Sequence, residues 1–272
     1  MKPFFKYSGG KSREAKLIAS FFQKNFTRIV EPFCGSCAIS FHLERPALVA
    51  DSRDDIINVL KVVQNPQTYI ILQKRIDMLK KITDKIELEK TFYHWRDKMW
   101  KTENILDKAF RFLVIRQLVF SGMDRINSSG KENAPFGWYK KFNCRLGIEH
   151  HNILKNWEIV YQSFEETLKT VIDDDFVFVD PPYLTRKGYI NNFSENQHIE
   201  LLRILDELKA TWLIVHCDHP LYRKFSKKYN VFQNSFCYSQ NFKGRTNLGS
   251  RVNHLYISNC QFSISLRKEN VV

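Results

Sequence analysis

Residues 28–51 decide the fold: Arg28-Ile29-Val30-Glu31, then Pro32-Phe33-Cys34-Gly35-Ser36-Cys37, a segment through Ser40-Phe41-His42-Leu43, and Ala47-Leu48-Val49-Ala50-Asp51. A short β-branched run, a glycine-bearing turn, an apolar helical stretch and a second apolar run closed by an acid open a doubly wound α/β sheet. On the N-terminal side, Lys11 to Lys24 fits a helix, and Asp54 to Val63 fits the next helix. The alternation then stops. From about Asn65 to His151 the chain is helical and charged, then polar and rich in Gly, Asn and Pro with no strong strand, which predicts an insertion. It resumes with a strand at Phe176 to Asp180, a helix at Glu195 to Lys209, a strand at Trp212 to Val215, a helix at Leu221 to Lys228 and a strand at His254 to Ile257. No internal repeat or low-complexity tract interrupts this pattern.

In such sheets ligands collect at the carboxyl ends of the strands, where Glu31, Asp51 and Asp180 are expected. The Pro32 to Gly35 turn can wrap a small ligand, and Asp51 is placed to hold ribose hydroxyls, as any adenosine-containing cofactor requires. Neither a G-x-G-x-x-G turn nor a G-x-x-x-x-G-K-[ST] loop is present. Tyr7-Ser8-Gly9-Gly10-Lys11 looks like the end of a phosphate loop, but no strand with the first glycine precedes it. Cys34-Gly35-Ser36-Cys37 also has the form of a redox motif or half a zinc site, although no second C-x-x-C completes four sulfurs. In His216-Cys217-Asp218-His219, neighbours on a strand end point to opposite faces and do not converge on one ion; no metal site is expected.

The strand Phe176-Val177-Phe178-Val179 ends in Asp180-Pro181-Pro182-Tyr183. Neither proline has an amide hydrogen and each fixes φ, so the chain leaves the sheet extended with carbonyls free to accept. The Asp180 carboxylate and the Pro181 carbonyl can each take one hydrogen of an exocyclic amine while Tyr183 stacks on the ring. The competing reading is an aspartate that merely closes a buried strand before a turn.

The 272 residues carry 42 Lys and Arg against 29 Asp and Glu, a net charge of +13 that favours a polyanionic partner. Six scattered cysteines in a chain this size predict reduced thiols rather than a disulfide framework. No run approaches the length of a membrane span, and Met1-Lys2-Pro3 leads into aromatics and glycines rather than a signal-peptide core. An intracellular monomer is the expectation.

Taken in order, Phe5-Lys6-Tyr7-Ser8-Gly9-Gly10-Lys11, Glu31-Pro32-Phe33-Cys34-Gly35-Ser36, Asp51 and Asp180-Pro181-Pro182-Tyr183 resemble the motif series of the Dam-class, α-group DNA adenine-N6 methyltransferases, which include modification enzymes of type II restriction systems. The stretch Arg125 to Tyr139 is similar to that family's DNA-contacting R-x-N-x-x-G-x-F-N-V-P-F-G-x-Y segment. The resemblance spans nearly the whole chain. It implies a Rossmann-like, mostly parallel methyltransferase sheet formed by residues 1–63 and 152–272, and a mainly helical target-recognition insert, 64–151. It also implies S-adenosyl-L-methionine as cofactor and base flipping on double-stranded DNA; an amino-methyltransferase of cytosine or RNA is the alternative.

Carried over by position, the resemblance makes Asp180, Pro181, Pro182 and Tyr183 catalytic, and gives Tyr7, Lys11, Pro32, Phe33, Cys34, Gly35, Asp51 and Asp180 to the cofactor. It gives Lys6, Arg125, Asn127, Asn133, Lys140 and Lys141 to DNA, with Lys131 and Arg145 flanking. Three positions depart from the pattern: Cys37 replaces a glycine, Glu132 a phenylalanine, and Trp138 an arginine frequent in GATC-methylating members. Gln162-Ser163-Phe164-Glu165 likewise lacks the Asp-Phe pair that some members place on the cofactor adenine. The target sequence and any partner endonuclease are not specified by these residues.

Overall fold

A computed structural model describes residues 1–21, 25–125, 127–184, 193–238 and 250–262. Helix α1 (Ala15–Ser20) follows a 3₁₀ turn at Lys11–Arg13, so the single helix expected to begin at Lys11 is broken at Glu14; residues 22–24 of that expectation lie outside the described residues. Strand β1 (Ile29–Glu31), helix α2 (Ala38–Leu43), strand β2 (Ala47–Asp51) and helix α3 (Asp54–Gln64) then follow as the sequence predicts. Both strands are buried on both faces, which explains their unbroken apolar runs. Helix α3 buries Ile56, Ile57, Val59, Leu60, Val62 and Val63, an apolar stripe with helical period.

The inserted region is helical. Helices α4 (Pro66–Lys80), α5 (Lys85–Tyr93) and α6 (Ile105–Leu118) begin at Asn65, Asp84 and Asn104, whose side chains accept from the first free amides of each helix. Helix α7 (Ile148–Leu154) runs through the expected boundary at 151 and leads into strand β3 (Trp157–Tyr161), which the sequence reading missed. The insert shares a core with one face of the sheet: Leu72, Phe92, Phe112 and Leu113 belong to the same buried cluster as Ile29, Val49 and Phe178.

Helix α8 (Phe164–Lys169) and strand β4 (Phe176–Val179) follow, then α9 (Glu195–Glu207), β5 (Thr211–Cys217), α10 (Pro220–Ser226), β6 (Asn230–Tyr238) and β7 (Ser250–Ser258). Among the described residues the strands form one seven-stranded sheet in the order β3-β2-β1-β4-β5-β7-β6. The strands from β3 to β5 pair in parallel, and β7 is antiparallel to both β5 and β6. The chain order reverses between β1 and β4, so their carboxyl ends open a crevice at the switch point. No helix among the described residues is long and apolar enough to cross a membrane.

Candidate active site at the β1/β4 switch point

The turn after β1 is held by backbone and carboxylate together. The Cys34 amide donates to the Ala50 carbonyl (2.9 Å) and the Gly35 amide to Asp51 Oδ2 (3.0 Å), so the turn is fastened to the tip of β2. Gly35 has φ +46°, and a Cβ there would lie 2.9 Å from Cε1 of Tyr7. Only glycine gives this backbone and this approach without strain. The expected second glycine is Cys37, which sits in the same left-handed region at φ 53°. That conformation accounts for a glycine at this place, and Cys37 holds it with a buried side chain. Cys34 and Cys37 are free thiols raised in pKa by burial, the opposite of an activated redox pair.

Glu31 is buried and accepts from the Ser40 amide (2.8 Å) and the Ser40 hydroxyl, which satisfies donors at the start of α2, where no local side chain caps. Burial pushes its carboxyl up to about 7. Asp51 has Oδ2 toward Gly35 and Oδ1 accepting from the Arg53 amide (3.1 Å); burial raises it to about 6 although these amides oppose the shift. The Cys34 thiol also donates to Oδ2 (4.0 Å), so the spare acceptor capacity of Asp51 is on Oδ1, which could take a ribose hydroxyl. Phe33 stacks on Phe164, with Phe193 edge-on, giving an apolar wall beside the turn. Phe164 follows Ser163, whose hydroxyl caps α8, where the Asp-Phe pair was lacking.

Across the crevice, Asp180 pairs with Lys11 Nζ at 2.5 Å, and Lys11 also donates to the Gly9 carbonyl (3.0 Å). Burial raises the Asp180 carboxyl while Lys11 opposes it. The structure therefore puts Lys11 on the Asp180 carboxylate, with its ammonium 5.2 Å from the centre of the Tyr183 ring. Tyr183 is buried, and its hydroxyl meets His254 Nε2 at 3.3 Å.

The segment that begins at Asp124 is tied by an ion pair to Arg53, beside the tip of β2. Arg53, next to Asp51, pairs with Asp55 and with Asp124; Arg116 reaches Asp124 (2.9 Å) and Glu132 (3.0 Å), and Arg111 also pairs with Glu132. Three cations and three carboxylates form one chain, with Arg116 almost wholly buried. Burial works to raise Asp124, but Arg116 and Arg53 prevail and hold it below the usual carboxylate range. Glu132, the departure from phenylalanine, is thus an internal ion-pair partner.

Arg125, Asn127, Lys140 and Lys141 are exposed. Asn127 Oδ1, however, accepts from the amides of Ser129 and Lys131 (both 3.0 Å), which closes its own turn and leaves the amide nitrogen to meet a partner. Asn133 is half-buried with an Oδ1 that finds no donor among the described residues, and Lys131 pairs with Asp97 at 3.2 Å. Lys6 donates to the Gln117 carbonyl (3.3 Å) and lies 4.4 Å from the centre of the Tyr139 ring, at the edge of the same stretch. Trp138 is exposed at φ 58°, with Lys85 over its ring. In the His216 to His219 cluster, Asp218 pairs with Arg223 and His219 caps α10, and among the described residues no group of three candidate ligands converges for a metal. The sequence reading missed Arg53, Arg116 and Asp124 as a unit, and Glu14 and His254 near Tyr183, because separate segments bring them together.

A doubly wound sheet with a cradling turn, an acid at the tip of β2 and Asp-Pro-Pro-Tyr at the tip of β4 defines a Rossmann-like methyltransferase. The chain belongs to the D12 class N6 adenine-specific DNA methyltransferases, whose family model matches residues 7–239. It is 31% identical over 277 residues to the type II methyltransferase M.CviBI of Paramecium bursaria Chlorella virus NC1A, covering 95% of this chain and 100% of that protein. It is 30% identical over 207 residues to the type II methyltransferase M.MjaIII of Methanocaldococcus jannaschii, covering 67% of this chain and 69% of that one. To the DNA adenine methylase of Escherichia coli K12 it is 24% identical over 217 residues, covering 76% of each.

Proposed function

We propose that this DNA adenine methyltransferase takes its methyl group from S-adenosyl-L-methionine, acts on a base flipped out of duplex DNA, and modifies a specific site. The observation that carries the reading is the pairing of two acids across one crevice: Asp51 with spare acceptor capacity beside the Gly35 turn, and Asp180 opposite it at the start of Pro-Pro-Tyr. The residues present fit the cofactor, since a carboxylate for ribose, a glycine in the turn and an aromatic wall at Phe33 stand together. When bound, the sulfonium supplies an already activated methyl group.

The chain's own work is orientation and electrostatics. Asp180 and the Pro181 carbonyl draw on the two amine hydrogens, Pro182 keeps the segment extended, and Tyr183 offers a face to the extruded ring. Tyr7 packs on the Gly35 turn, and Lys11 sets the Asp180 carboxylate. Arg125, Asn127 and Asn133 would read bases or hold the reading loop, while Lys6, Lys140 and Lys141 meet the DNA around them. Similarity along the full length to a type II methyltransferase supports a sequence-specific modification enzyme.

The test is incubation of the purified protein with methyl-labelled S-adenosylmethionine and duplex DNA, digestion to nucleosides and chromatography. The label is expected in N6-methyladenine. Label in methylcytosine, or transfer that prefers single-stranded RNA, would overturn the reading.

A further inference from the structure

Behind the Asp-Pro-Pro-Tyr segment lies a polar chain that the reaction as described leaves unused. Glu14, fully buried at the break between the 3₁₀ turn and α1, accepts through Oε2 from His254 Nδ1 (2.9 Å) and from the Tyr256 hydroxyl. His254 stands on β7 and is itself buried. In the tautomer whose Nδ1 donates to the Glu14 carboxylate, Nε2 is an acceptor, and it faces the Tyr183 hydroxyl at 3.3 Å. The Tyr183 ring is braced on a second side by His216, centroids 4.8 Å apart, and the Lys11 ammonium stands 5.2 Å from its centre.

We propose that Glu14 and His254 are positioning residues for methyl transfer, acting through the hydroxyl of Tyr183 to fix its ring and enrich the face it presents. The proposal rests on the reading of Tyr183 as the aromatic that meets the target base. A phenol that donates to an imidazole backed by a carboxylate gains electron density, because linked hydrogen bonds polarise one another. An electron-rich face attracts positive charge more strongly, most of all where water is excluded. During transfer the carbon–sulfur bond breaks with its pair going to sulfur, and the amine lone pair forms the new carbon–nitrogen bond. The positive charge thereby moves from sulfur to the adenine, where it stays until a proton leaves the nitrogen for water. Tyr183 would be stacked on that cation. A buried carboxylate–imidazole pair could also serve only to dock β7 onto the N-terminal segment, and the two roles predict different kinetics.

The test compares His254→Gln, Glu14→Gln, Tyr183→Phe, Tyr183→Ala and the double variant His254→Gln/Tyr183→Phe. Single-turnover methyl transfer is measured with saturating S-adenosylmethionine and duplex DNA, alongside Tm and cofactor affinity. Each of His254→Gln, Glu14→Gln and Tyr183→Phe is expected to slow transfer about tenfold with cofactor affinity unchanged. The double variant should be no slower than Tyr183→Phe alone, since His254 acts through the hydroxyl. Rate losses that multiply in the double variant would overturn the proposal and leave His254 a docking residue. Tyr183→Phe, which removes one oxygen and leaves Glu14 and His254 paired, decides the matter even where the other variants do not fold. Wild-type transfer by Tyr183→Phe with an inactive Tyr183→Ala would sink the relay but keep Tyr183 at the base. Wild-type transfer by Tyr183→Ala would remove Tyr183 from the site altogether.

Discussion

Asp51 and Glu31 are raised for the same reason, withdrawal from water, and this gives the site a pH signature. For Asp51 the folded value of about 6 lies above the ordinary aspartate value of 3.8, so the unfolded chain gives up its proton first as pH rises. Its contribution to the stability of the free enzyme is present below the lower value and lost as pH rises through the upper one. Binding runs the other way, because ribose hydroxyls donate best to an ionised carboxylate. Affinity for S-adenosylhomocysteine, measured by calorimetry, is expected to weaken by up to about tenfold per unit as pH falls below about 6, and Asp51→Asn should flatten that dependence. A wild-type affinity constant from pH 5 to pH 7 would remove Asp51 from the ribose. The sequence made these single residues legible because each acid ends an apolar run. The left-handed backbone at Cys37 was not, since a cysteine carries no local mark of positive φ.

At the scale of elements, the Arg53-Asp124-Arg116-Glu132-Arg111 chain ties the N-terminus of α3 to α6 and to the stretch that carries Arg125. Breaking a buried pair by removing one partner leaves the other charge unpaired, at about 3–5 kcal/mol, whereas replacing both with apolar groups is often neutral. Glu132→Phe should therefore destabilise the fold by about that amount in urea unfolding, even though it installs the residue of the related motif. Arg116→Met in the same chain should recover much of the loss. An unaltered unfolding midpoint for Glu132→Phe would count the chain as inert. The same scale shows why the alternation was readable in the middle of the sheet and not at its rims. Strands β1, β2, β4 and β5 are buried and almost entirely apolar, while β3 and β6 are the two edges. In β3, Glu158 and Tyr161 face out; in β6, Asn230, Gln233 and Asn234 dilute the apolar signal, and pairing with β7 supplies what local pattern lacks.

Across the whole molecule, a net charge of +13 sets the general attraction to phosphates, on which recognition by particular side chains is superimposed. Arg125 and Lys140 are both exposed but differ in chemistry: a guanidinium matches paired acceptors on a base edge, an ammonium is a point charge. Once the methylated sequence is mapped, Arg125→Ala should lower discrimination at one base pair by about 1–3 kcal/mol. Lys140→Ala should weaken all duplexes alike and make binding less steeply dependent on salt. Methylation rates on the mapped site and its single-base variants at two salt concentrations check both, and a uniform loss for Arg125→Ala would take it out of the readout. The stretch Arg125 to Tyr139 stands out in the sequence only through its likeness to the family's segment, because a polar loop has no period of its own. The bonds from Glu14 to His254 and Tyr256 close loops of 240 and 242 positions along the chain. A ribosome adding roughly 5–20 residues per second needs about 12–50 s to pass from one end of that bond to the other. For the last 71 positions of that interval, about 4–14 s, the growing polypeptide has made Asp-Pro-Pro-Tyr but not the histidine behind it, so a message cut short before β7 would yield a chain with the full set of motifs and an unfinished pocket.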